Sequence, residues 1–333
     1  MGQMLNNKTI LVTGGTGSFG KKFVQMILER YKSTKIIIYS RDELKQFEMR
    51  NVYPTTEFPI KYFIGDVRDK ERLHRVTKGV DIVIHAAALK QVPTAEFNPF
   101  ETVKTNILGA QNVIDAALEN DVKKVLALST DKACNPINLY GATKLASDKM
   151  FAAANYWQGS HNTALSVVRY GNVMGSRGSV IPFFYKKKTS GVIPITDERM
   201  TRFWITLEQA VEFVISSLNR MNGGELFIPK IPSMNIMDLA KAIAPDAKIE
   251  IIGIRPGEKI HEVMISSDDA INTIEFDSHF VIQPSQPWWD DVKYNEINGG
   301  KKVKAGFKYS SDINDQWLSS ETLKKILDEF DQK

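Results

Sequence analysis

The stretch Thr9-Ile10-Leu11-Val12-Thr13-Gly14-Gly15-Thr16-Gly17-Ser18-Phe19-Gly20 decides the fold of this 333-residue chain. It begins with a short β-branched and apolar run, which is typical of a buried strand. Glycines at positions 14, 17 and 20 then form a G-x-x-G-x-x-G pattern. Glycine permits a tight turn and lets backbone N–H groups and a helix N-terminus approach a pyrophosphate. The stretch therefore predicts a strand, a dinucleotide-binding loop and a helix; an ordinary glycine-rich loop is the alternative.

Further apolar runs follow at residues 35–39, 62–64, 82–84, 125–128 and 166–168. They are apolar on both faces, as parallel strands covered by helices must be. The segments between them, such as residues 102–120, carry apolar side chains at helical spacing. This alternation predicts an α/β fold, with a Rossmann-type doubly wound parallel sheet and right-handed crossovers.

After Gly175 the pattern changes. We expect a helix at residues 206–220, opened by a Thr206 and Gln209 capping box, and another helix at 236–243. Short strands are expected at 226–228 and 249–252, and a polar, turn-rich tail from Asp268 onward, with one last helix at 321–330. The chain thus divides into a dinucleotide-binding Rossmann domain (1–175) and a mainly substrate-binding C-terminal lobe (176–333), with some elements interleaving between the two.

The composition is that of an ordinary globular chain, with 43% hydrophobic and 25% charged residues. A net charge of +4, from 43 basic and 39 acidic residues, gives no footprint for nucleic acid but fits a local positive cleft for an anionic nucleotide. The single cysteine, Cys134, excludes an internal disulfide and favours a reducing, cytoplasmic location. We expect its thiol to be packed in the protein and unreactive; a reactive thiol is the alternative. The N-terminus lacks signal-peptide features, and no apolar run approaches the roughly 20 residues that span a bilayer, so we expect a soluble protein.

The cofactor is predicted from the residues after the second strand, Ser40-Arg41-Asp42-Glu43-Leu44-Lys45. Arg41 and Lys45 can pair with a 2′-phosphate and Ser40 can donate a hydrogen bond to it, which favours NADP. In the alternative, Asp42 holds the 2′-hydroxyl of NAD and the basic side chains are solvated. Asp66 and Val67 end the third strand where the adenine would lie; for Asp66, a helix cap is the alternative.

Two groups of residues carry the predicted chemistry. Tyr140 and Lys144 are four residues apart, which places both side chains on one face of a helix. A phenol has a pKa of about 10, but a lysine ammonium and a positive nicotinamide favour phenolate, so the pair can remove a proton from an alcohol. Ser129-Thr130-Asp131-Lys132 ends the fifth strand, where ligands of open α/β sheets bind. An ion pair of little energetic consequence between Asp131 and Lys132 is the alternative.

Together, residues 13–17, 85–88, 129–132 and 140–144 resemble the extended short-chain dehydrogenases. Residues 88–93, 169–173 and 255–259, with 129–144, resemble one branch closely, the inverting UDP-N-acetylglucosamine 4,6-dehydratases. The resemblance covers roughly residues 8–330. Relatives that retain configuration carry Thr-Asp-Glu where this chain has Thr130-Asp131-Lys132, and some membrane-anchored relatives add transmembrane helices that are absent here.

The resemblance implies a redox-neutral lyase that turns UDP-N-acetylglucosamine into UDP-2-acetamido-2,6-dideoxy-β-L-arabino-hex-4-ulose. This is the first step of pseudaminic acid synthesis for flagellin glycosylation. It also implies a homo-oligomer, dimeric or larger, that associates through the tyrosine helix and the helix before it.

The mechanism that we expect uses each of these residues. Tyr140 takes the proton of the 4-hydroxyl as C4 is oxidised, and Lys144 holds the phenolate and the nicotinamide ribose. Lys132, as neutral amine, removes the C5 proton, and protonated Asp131 delivers a proton to the departing 6-hydroxyl. Lys132 needs a lowered pKa for that task. With Thr130, these are the expected catalytic residues.

The remaining expected contacts combine the motifs with the resemblance. The cofactor contacts are Gly14, Thr16, Gly17, Ser18, Phe19, Gly20, Ser40, Arg41, Asp42, Glu43, Leu44, Lys45, Asp66, Val67, Ala86, Lys90, Ser129, Tyr140, Lys144 and Val173. The substrate contacts are Lys90, Asn172, Val180, Thr196, Arg255 and Glu258. Arg177, Arg199 and Arg202 are either further contacts or surface charges. His85 is expected to be packed, and the five histidines show no metal-ligand spacing, so no metal is expected.

Three other functions stay open. A configuration-retaining UDP-sugar 4,6-dehydratase or a UDP-sugar 4-epimerase would share the glycine loop and the Tyr140–Lys144 pair. The epimerase needs no acid–base pair at C5 and C6, so Asp131 and Lys132 count against it. A non-catalytic NADP-sensing regulator would keep the fold alone.

Overall fold

Seven parallel strands form the centre of the molecule, and each is one of the apolar runs of the sequence. The computed structural model describes residues 4–176, 179–285 and 299–331. Its strands are β1 (Thr9–Thr13), β2 (Lys35–Ser40), β3 (Ile60–Ile64), β4 (Ile82–His85), β5 (Lys124–Thr130), β6 (Ala164–Tyr170), β7 (Asn172–Val173), β8 (Val192–Ile195), β9 (Thr201–Ile205), β10 (Leu226–Pro229), β11 (Ser233–Asn235), β12 (Lys248–Ile251), β13 (Val263–Ile265), β14 (Thr273–Glu275), β15 (His279–Ile282), β16 (Lys301–Lys302) and β17 (Tyr309–Ser310).

The helices alternate with the strands in the first half of the chain. They are α1 (Ser18–Arg30), α2 (Glu43–Val52), α3 (Lys70–Thr77), α4 (Val92–Phe97), α5 (Pro99–Val103), α6 (Gly109–Glu119), α7 (Leu139–Trp157), α8 (Val180–Lys188), α9 (Leu207–Arg220), α10 (Ile236–Ile243) and α11 (Ser320–Asp331). Within the described ranges, no helix is both long and apolar enough to cross a membrane.

The main sheet has ten strands in the order β16-β14-β15-β10-β6-β5-β4-β1-β2-β3. The portion β3-β2-β1-β4-β5-β6 has the strand order of a Rossmann fold. Alternate residues of β1 explain why both faces are covered: Ile10 and Val12 pack in one hydrophobic cluster with α1 and α9, and Leu11 packs in a second with α3, α6 and α7. The predicted α/β fold with a doubly wound parallel sheet is confirmed.

The predicted helix over 102–120 is wrong in one respect. It is divided into α5, a π-helical turn at Lys104–Leu108, and α6. The prediction of a helix at 206–220 is confirmed, including both hydrogen bonds of the Thr206–Gln209 capping box.

The predicted turn-rich tail from Asp268 is also wrong, because β14, β15 and β16 extend the main sheet through antiparallel pairing. These strands have two or three residues, apart from β15 with four, so they carry little periodic signal. β10 also joins the main sheet, parallel to β6. The chain therefore returns to the Rossmann sheet after leaving it at about residue 175.

Elements outside the main sheet build a third cluster of apolar side chains. It contains the three-stranded sheet β11-β9-β7, the pair β12-β8, and helices α8, α10 and α11, packed around side chains such as Trp204, Phe184 and Leu239. This lobe follows β6, so it lies beyond the carboxyl ends of the central strands.

Candidate active site

The glycine loop after β1 is shaped by close backbone contacts. Gly14 has a φ of +66°, and a Cβ on it would lie 2.9 Å from the carbonyl oxygen of Ala86. A Cβ on Gly20 would lie 2.3 Å from the carbonyl oxygen of Gly15. Among the described residues, no side chain caps the start of α1 at Gly17, and its first turn contains no acidic residue. The positive end of this helix therefore faces the loop, which fits a pyrophosphate.

At the ends of β2 and β3, charged side chains surround the expected adenosine position. Asp42 caps α2, accepting a hydrogen bond from the N–H of Lys45 at 3.0 Å and forming an ion pair with its ammonium group. The Arg41 guanidinium is half exposed and lies 3.5 Å from the Asp66 carboxylate. Ser40 is buried, and its hydroxyl oxygen accepts a hydrogen bond from Gln46 at 3.1 Å.

Asp66 accepts hydrogen bonds from the backbone N–H of Arg68 at 3.0 Å and from its guanidinium at 2.7 Å. Burial alone would raise the pKa of Asp66, but these hydrogen bonds and the charge of Arg41 lower it below its usual value. The helix-cap interpretation of Asp66 is wrong, because Asp69 caps α3. Asp66 thus stays ionised and orients two arginines at this edge.

The residues after β5 form the reacting centre. Thr130 caps a 3₁₀ turn over Asp131–Ala133, and its hydroxyl donates a hydrogen bond to Asp131 Oδ1 at 2.8 Å. The Thr130 side chain also lies beside the phenol of Tyr140, on the first turn of α7, and acts to lower its pKa. A Cβ on Gly141 would lie 2.1 Å from the carbonyl oxygen of Lys132, so α7 lies directly against this turn. One hydroxyl thus links the acidic group to the phenol.

Asp131 and Lys132 do not form a solvated surface pair. The Asp131 side chain is 1% exposed, and Lys132 Nζ lies 3.1 Å from its Oδ1. Lys132 Nζ also lies 3.3 Å from Oε1 of Glu262, a buried residue just before β13. Among the described residues, Asp131 Oδ2 and Glu262 Oε2 are buried without a hydrogen-bond partner. Two carboxyl groups therefore share one ammonium group and each has a free oxygen.

The pKa directions suit the expected role of Asp131 and show that Lys132 does not meet the requirement of a base in this arrangement. Burial raises the pKa of Asp131 above its ordinary value, despite the opposing charge of Lys132. That suits a carboxylic acid that donates a proton. For Lys132, burial would lower the pKa, but the charges of Asp131 and Glu262 outweigh that effect and raise the pKa.

Tyr140 and Lys144 are both buried. Burial raises the pKa of Tyr140 to about 12, although Lys132 and the Thr130 hydrogen bond act in the opposite direction. Burial lowers the pKa of Lys144, while Asp148 opposes that effect. Asp148 in turn accepts hydrogen bonds from the Ser129 hydroxyl at 2.7 Å and from Arg169 at 3.2 Å. The buried ion pair of Asp148 and Arg169 is therefore the charged environment of Lys144.

The π-helical turn places a second support beside α7. Asn106 donates to the carbonyl oxygen of Leu89 at 2.9 Å and to the Thr143 hydroxyl at 3.0 Å, and it accepts from the Leu89 N–H at 2.8 Å. The loop after β4, which carries Lys90, is thus attached to the tyrosine helix. Desolvation, with the charge of Lys132, lowers the pKa of Lys90, which places Lys90 near the reacting centre.

Most of the expected substrate residues lie after β6, on β7, α8 and the loops that follow β8 and β12. Asn172 and Val173 form β7, which continues from β6 and pairs with β9. Val180 begins α8 and Thr196 follows β8, both half-buried. Arg255 is exposed and lies 3.9 Å from Glu258 in one loop. Asn138, which caps α7, donates a hydrogen bond to the carbonyl oxygen of Gly257 at 2.8 Å, so this loop is attached to the start of the tyrosine helix.

The contacts of the remaining candidates lie within the protein where the structure describes them. Arg199 pairs with Asp197 at the surface, and Arg202 donates hydrogen bonds to the carbonyl oxygens of Thr201, Lys259 and Ile260. Arg177 lies outside the described residues. His85 is buried against Thr13, with its Nδ1 2.8 Å from the hydroxyl, as the packed interpretation requires. Burial raises the pKa of the Cys134 thiol to about 11, which is the quiet thiol that we expected.

Sequence reasoning missed four residues of this site: Glu262, Asp148, Arg169 and Asn106. Arg169 had a signal, since a charged residue within the apolar run of β6 must have a buried partner. The others gave none, because their partners lie between 17 and 130 positions away in the chain (106 − 89 = 17 and 262 − 132 = 130).

Comparisons with known proteins agree with this geometry. Residues 10–284 match the family described as polysaccharide biosynthesis protein. The inverting UDP-N-acetylglucosamine 4,6-dehydratase of Campylobacter jejuni subsp. jejuni serotype O:2 is 61% identical over 97% of this chain and 98% of its own length. A UDP-glucose 4-epimerase of Rickettsia akari is 41% identical over 97% of this chain and 96% of its own.

Solved structures agree on the fold. Pen from Bacillus thuringiensis superposes with a TM-score of 0.88 at 37% identity, over 98% of this chain and all of its own. The dTDP-glucose 4,6-dehydratase DesIV of Streptomyces venezuelae, solved with NAD bound, superposes with a TM-score of 0.71 at 18% identity, over 98% of this chain and 97% of its own. The fold and the resemblance noted in the sequence are confirmed.

Proposed function

Because the chain belongs to the polysaccharide biosynthesis protein family, and within it to the family of the inverting UDP-N-acetylglucosamine 4,6-dehydratases, we propose that it catalyses that dehydration. The substrate is UDP-N-acetylglucosamine, and the product is the 4-keto-6-deoxy sugar nucleotide with inverted C5. One observation carries the proposal: a buried carboxylic acid and a lysine, Asp131 and Lys132, lie beside Tyr140 and are linked to it through Thr130.

The residues of the centre divide the reaction between them. Tyr140 accepts the proton of the 4-hydroxyl, and Lys144 stabilises the resulting phenolate. The C4 ketone acidifies the C5 proton, which Lys132 removes. Asp131, whose pKa is raised by burial, delivers a proton to the departing 6-hydroxyl. The final proton reaches C5 from the opposite face, which inverts that centre.

The proposed cofactor is NADP. When bound, NADP would supply the hydride chemistry, oxidation at C4 and reduction at C6. The Gly14–Gly20 loop and the start of α1 would hold the pyrophosphate, and Arg41, with Lys45 and Ser40, would hold the 2′-phosphate. Since Arg41 contacts Asp66 only at 3.5 Å, it can reorient toward a phosphate at little cost. Replacing Arg41 with alanine is expected to weaken NADP binding by about tenfold or more and NAD binding little, as measured by calorimetry.

A second candidate is a UDP-sugar 4-epimerase, which the Rickettsia akari relative favours. An epimerase needs the Tyr140–Lys144 pair alone. The buried Asp131, with a raised pKa and a free oxygen, has no task in that reaction. This argues for dehydration, as does the higher identity of the dehydratase relative.

NMR of the product formed from UDP-N-acetylglucosamine in deuterated water tests the proposal. A C6 methyl group, deuterium at C5 and inverted C5 configuration are expected. An unchanged C6 with an inverted C4 would contradict it, and retained C5 would assign the retaining reaction. Tyr140→Phe is the matched control, since it keeps the ring and should abolish every product.

Further parts of the proposal concern its setting. We place the enzyme in the cytoplasm, at the first step of pseudaminic acid synthesis for flagellin glycosylation. We also propose a homo-oligomer, for which the exposed Phe97, Phe100 and Tyr156 on α4, α5 and α7 supply apolar surface. Residues 1–175 would bind the cofactor and residues 176–333 mainly the sugar nucleotide.

A further inference from the structure

Three hydrogen bonds hold the backbone of Glu262 in place. Its backbone N–H donates to the Ser311 hydroxyl at 2.9 Å, and its carbonyl oxygen accepts from the Ser311 N–H at 2.9 Å. The hydroxyl of Ser310 also donates to that carbonyl, at 3.3 Å. These bonds join the segment before β13 to β17, so the side chain of Glu262 is fixed against the reacting centre.

The charges around Lys132 define what Glu262 can do there. Lys132 Nζ lies 3.1 Å from Asp131 Oδ1 and 3.3 Å from Glu262 Oε1. Arg202 Nε is 3.8 Å from Glu262, beyond hydrogen-bond distance, because the other guanidinium nitrogens are bound to backbone carbonyls. The remaining titratable groups that act on this pair are Lys90, Tyr140 and Lys259. Glu262 is therefore the one carboxyl group other than Asp131 that contacts Lys132 among the described residues.

The proposed dehydration requires Lys132 to lose a proton before it acts. A lysine paired with carboxylates is an ammonium and cannot accept the C5 proton. Asp131 cannot take the lysine's proton, since it must already carry one to protonate the leaving hydroxyl. Glu262 has a buried Oε2 without a partner among the described residues, and the charges of Lys132, Arg202 and Lys259 outweigh burial and lower its pKa, so without substrate it is a carboxylate that can accept a proton.

We propose that Glu262 is the positioning residue of Lys132: it aims the amine and takes its proton once bound substrate excludes water. One N–H bond breaks at Lys132 Nζ and one O–H bond forms at Glu262 Oε1. An ammonium–carboxylate pair becomes an amine–carboxylic acid pair, and the total charge is unchanged. Exclusion of water favours this direction because a desolvated neutral pair avoids the cost of two buried charges. The inference rests on the proposed dehydration.

The first test compares Glu262→Gln with the wild type by single-turnover formation of C5-deuterated product. Glutamine keeps the shape but cannot take a proton, so the proton of Lys132 must leave to solvent. We expect a variant to wild-type rate ratio of about 10⁻² or less near pH 7, rising about tenfold per pH unit as long as Lys132 remains an ammonium. Taking the ratio at each pH removes the pH dependence of C4 oxidation, which both proteins share.

Two further variants separate this role from a structural one. Glu262→Asp keeps an acceptor, so its ratio should fall by less than about tenfold and stay constant with pH. It also serves if Glu262→Gln does not fold, since a ratio that rises with pH in this variant would overturn the proposal. Glu225→Gln changes a buried glutamate that is bound to Ser166 and the backbone of Asn222 and Gly223. It should lower stability and leave the ratio near one.

A second measurement does not depend on turnover. Acetylation of Lys132 by an amine-reactive reagent, followed by peptide mass spectrometry, measures its neutral fraction in the enzyme without substrate. Loss of one carboxylate in Glu262→Gln should make Lys132 about tenfold more reactive at a given pH, while turnover near neutral pH falls. More reactive lysine with slower chemistry is the combination that only a proton acceptor explains.

Three results of these measurements would overturn the proposal. A ratio that is constant with pH would show a structural role, and a ratio near or above one would show that Glu262 holds Lys132 inactive; either overturns the proposal. Unchanged acetylation of Lys132 would also overturn it. If the wild type forms no C6-deoxy product at all, the proposed function fails instead.

Discussion

Replacing Gly141 with alanine should damage catalysis far more than stability. A Cβ on Gly141 would lie 2.1 Å from the carbonyl oxygen of Lys132, whereas real Cβ atoms essentially never approach closer than 3.0 Å. The turn that carries Asp131 and Lys132 must therefore move by about 0.9 Å (3.0 − 2.1 = 0.9). A displacement of about 1 Å at reacting groups costs about 10²-fold in rate, which is the loss we expect.

The expected change in stability is smaller because two effects oppose each other. Overpacking against backbone costs about 1–3 kcal/mol, and alanine in place of glycine inside a helix returns about 1 kcal/mol. A net loss of about 0–2 kcal/mol in the free energy of unfolding should follow. Single-turnover product formation and denaturant unfolding, measured on the same preparation, give the two quantities.

Gly159→Ala is the control. Gly159 follows α7 with a φ of +66°, and a Cβ there would meet nothing within 4 Å. The left-handed backbone costs alanine about 1–2 kcal/mol, without moving the catalytic turn. The control should therefore lose stability and keep its rate. A Gly141→Ala enzyme with the wild-type rate would refute the claim that helix and turn are in rigid contact.

Three further predictions follow from buried groups. Asp148→Asn leaves Arg169 without its buried partner, so the free energy of unfolding, measured by denaturant titration, should fall by about 3–5 kcal/mol. The pKa of Lys144 should also fall further. His85 has a pKa lowered to about 3 by burial and by Lys144, so the folded state binds its proton less readily than the unfolded chain does. The contribution of neutral His85 to the free energy of unfolding is present above about pH 6.5 and is lost as the pH falls toward 3. Between pH 7 and pH 5, the free energy of unfolding should fall by about 2 kcal/mol, and His85→Gln should remove that pH dependence. Asn106→Ala removes three hydrogen bonds that attach the Leu89 loop to α7, so KM for the sugar nucleotide should rise with a smaller change in kcat, as steady-state kinetics would show.

The central sheet could be predicted because each strand is buried on both faces and reads as a continuous apolar run. The same reasoning failed after Asp268, where β14 and β16 contain three and two residues. Such strands are specified by the edge of a sheet that already exists, since their backbone groups pair with β15 and β14. Local sequence contains little of that information. The π-helical turn could not be predicted for a related reason: apolar periodicity continues through it, and Asn106 acquires its role only through contacts with Leu89 and Thr143.

The site could be predicted to the extent that it lies in short motifs. Thr130, Asp131, Lys132, Tyr140 and Lys144 span 15 positions (144 − 130 + 1 = 15), and strand-end geometry brings them together. The protonation state of Lys132 could not be predicted, because it depends on Glu262. That residue enters the site from the segment before β13, which is held by backbone pairing with Ser311.

The two lysines of the site are surrounded by similar groups arranged to opposite effect. Behind Lys144, the charge of Asp148 is largely taken up by Arg169 at 3.2 Å and by the Ser129 hydroxyl at 2.7 Å. The effect of burial is therefore larger than that of the Asp148 charge, and the pKa of Lys144 falls. Beside Lys132, Glu262 is 3.8 Å from its arginine and retains a free oxygen, and Asp131 adds a second carboxyl group. Here the charges of the carboxylates outweigh the effect of burial, and the pKa of Lys132 rises. Unequal neutralisation of the neighbouring carboxylates thus gives one lysine that assists a phenolate and another whose proton must be moved before it can act.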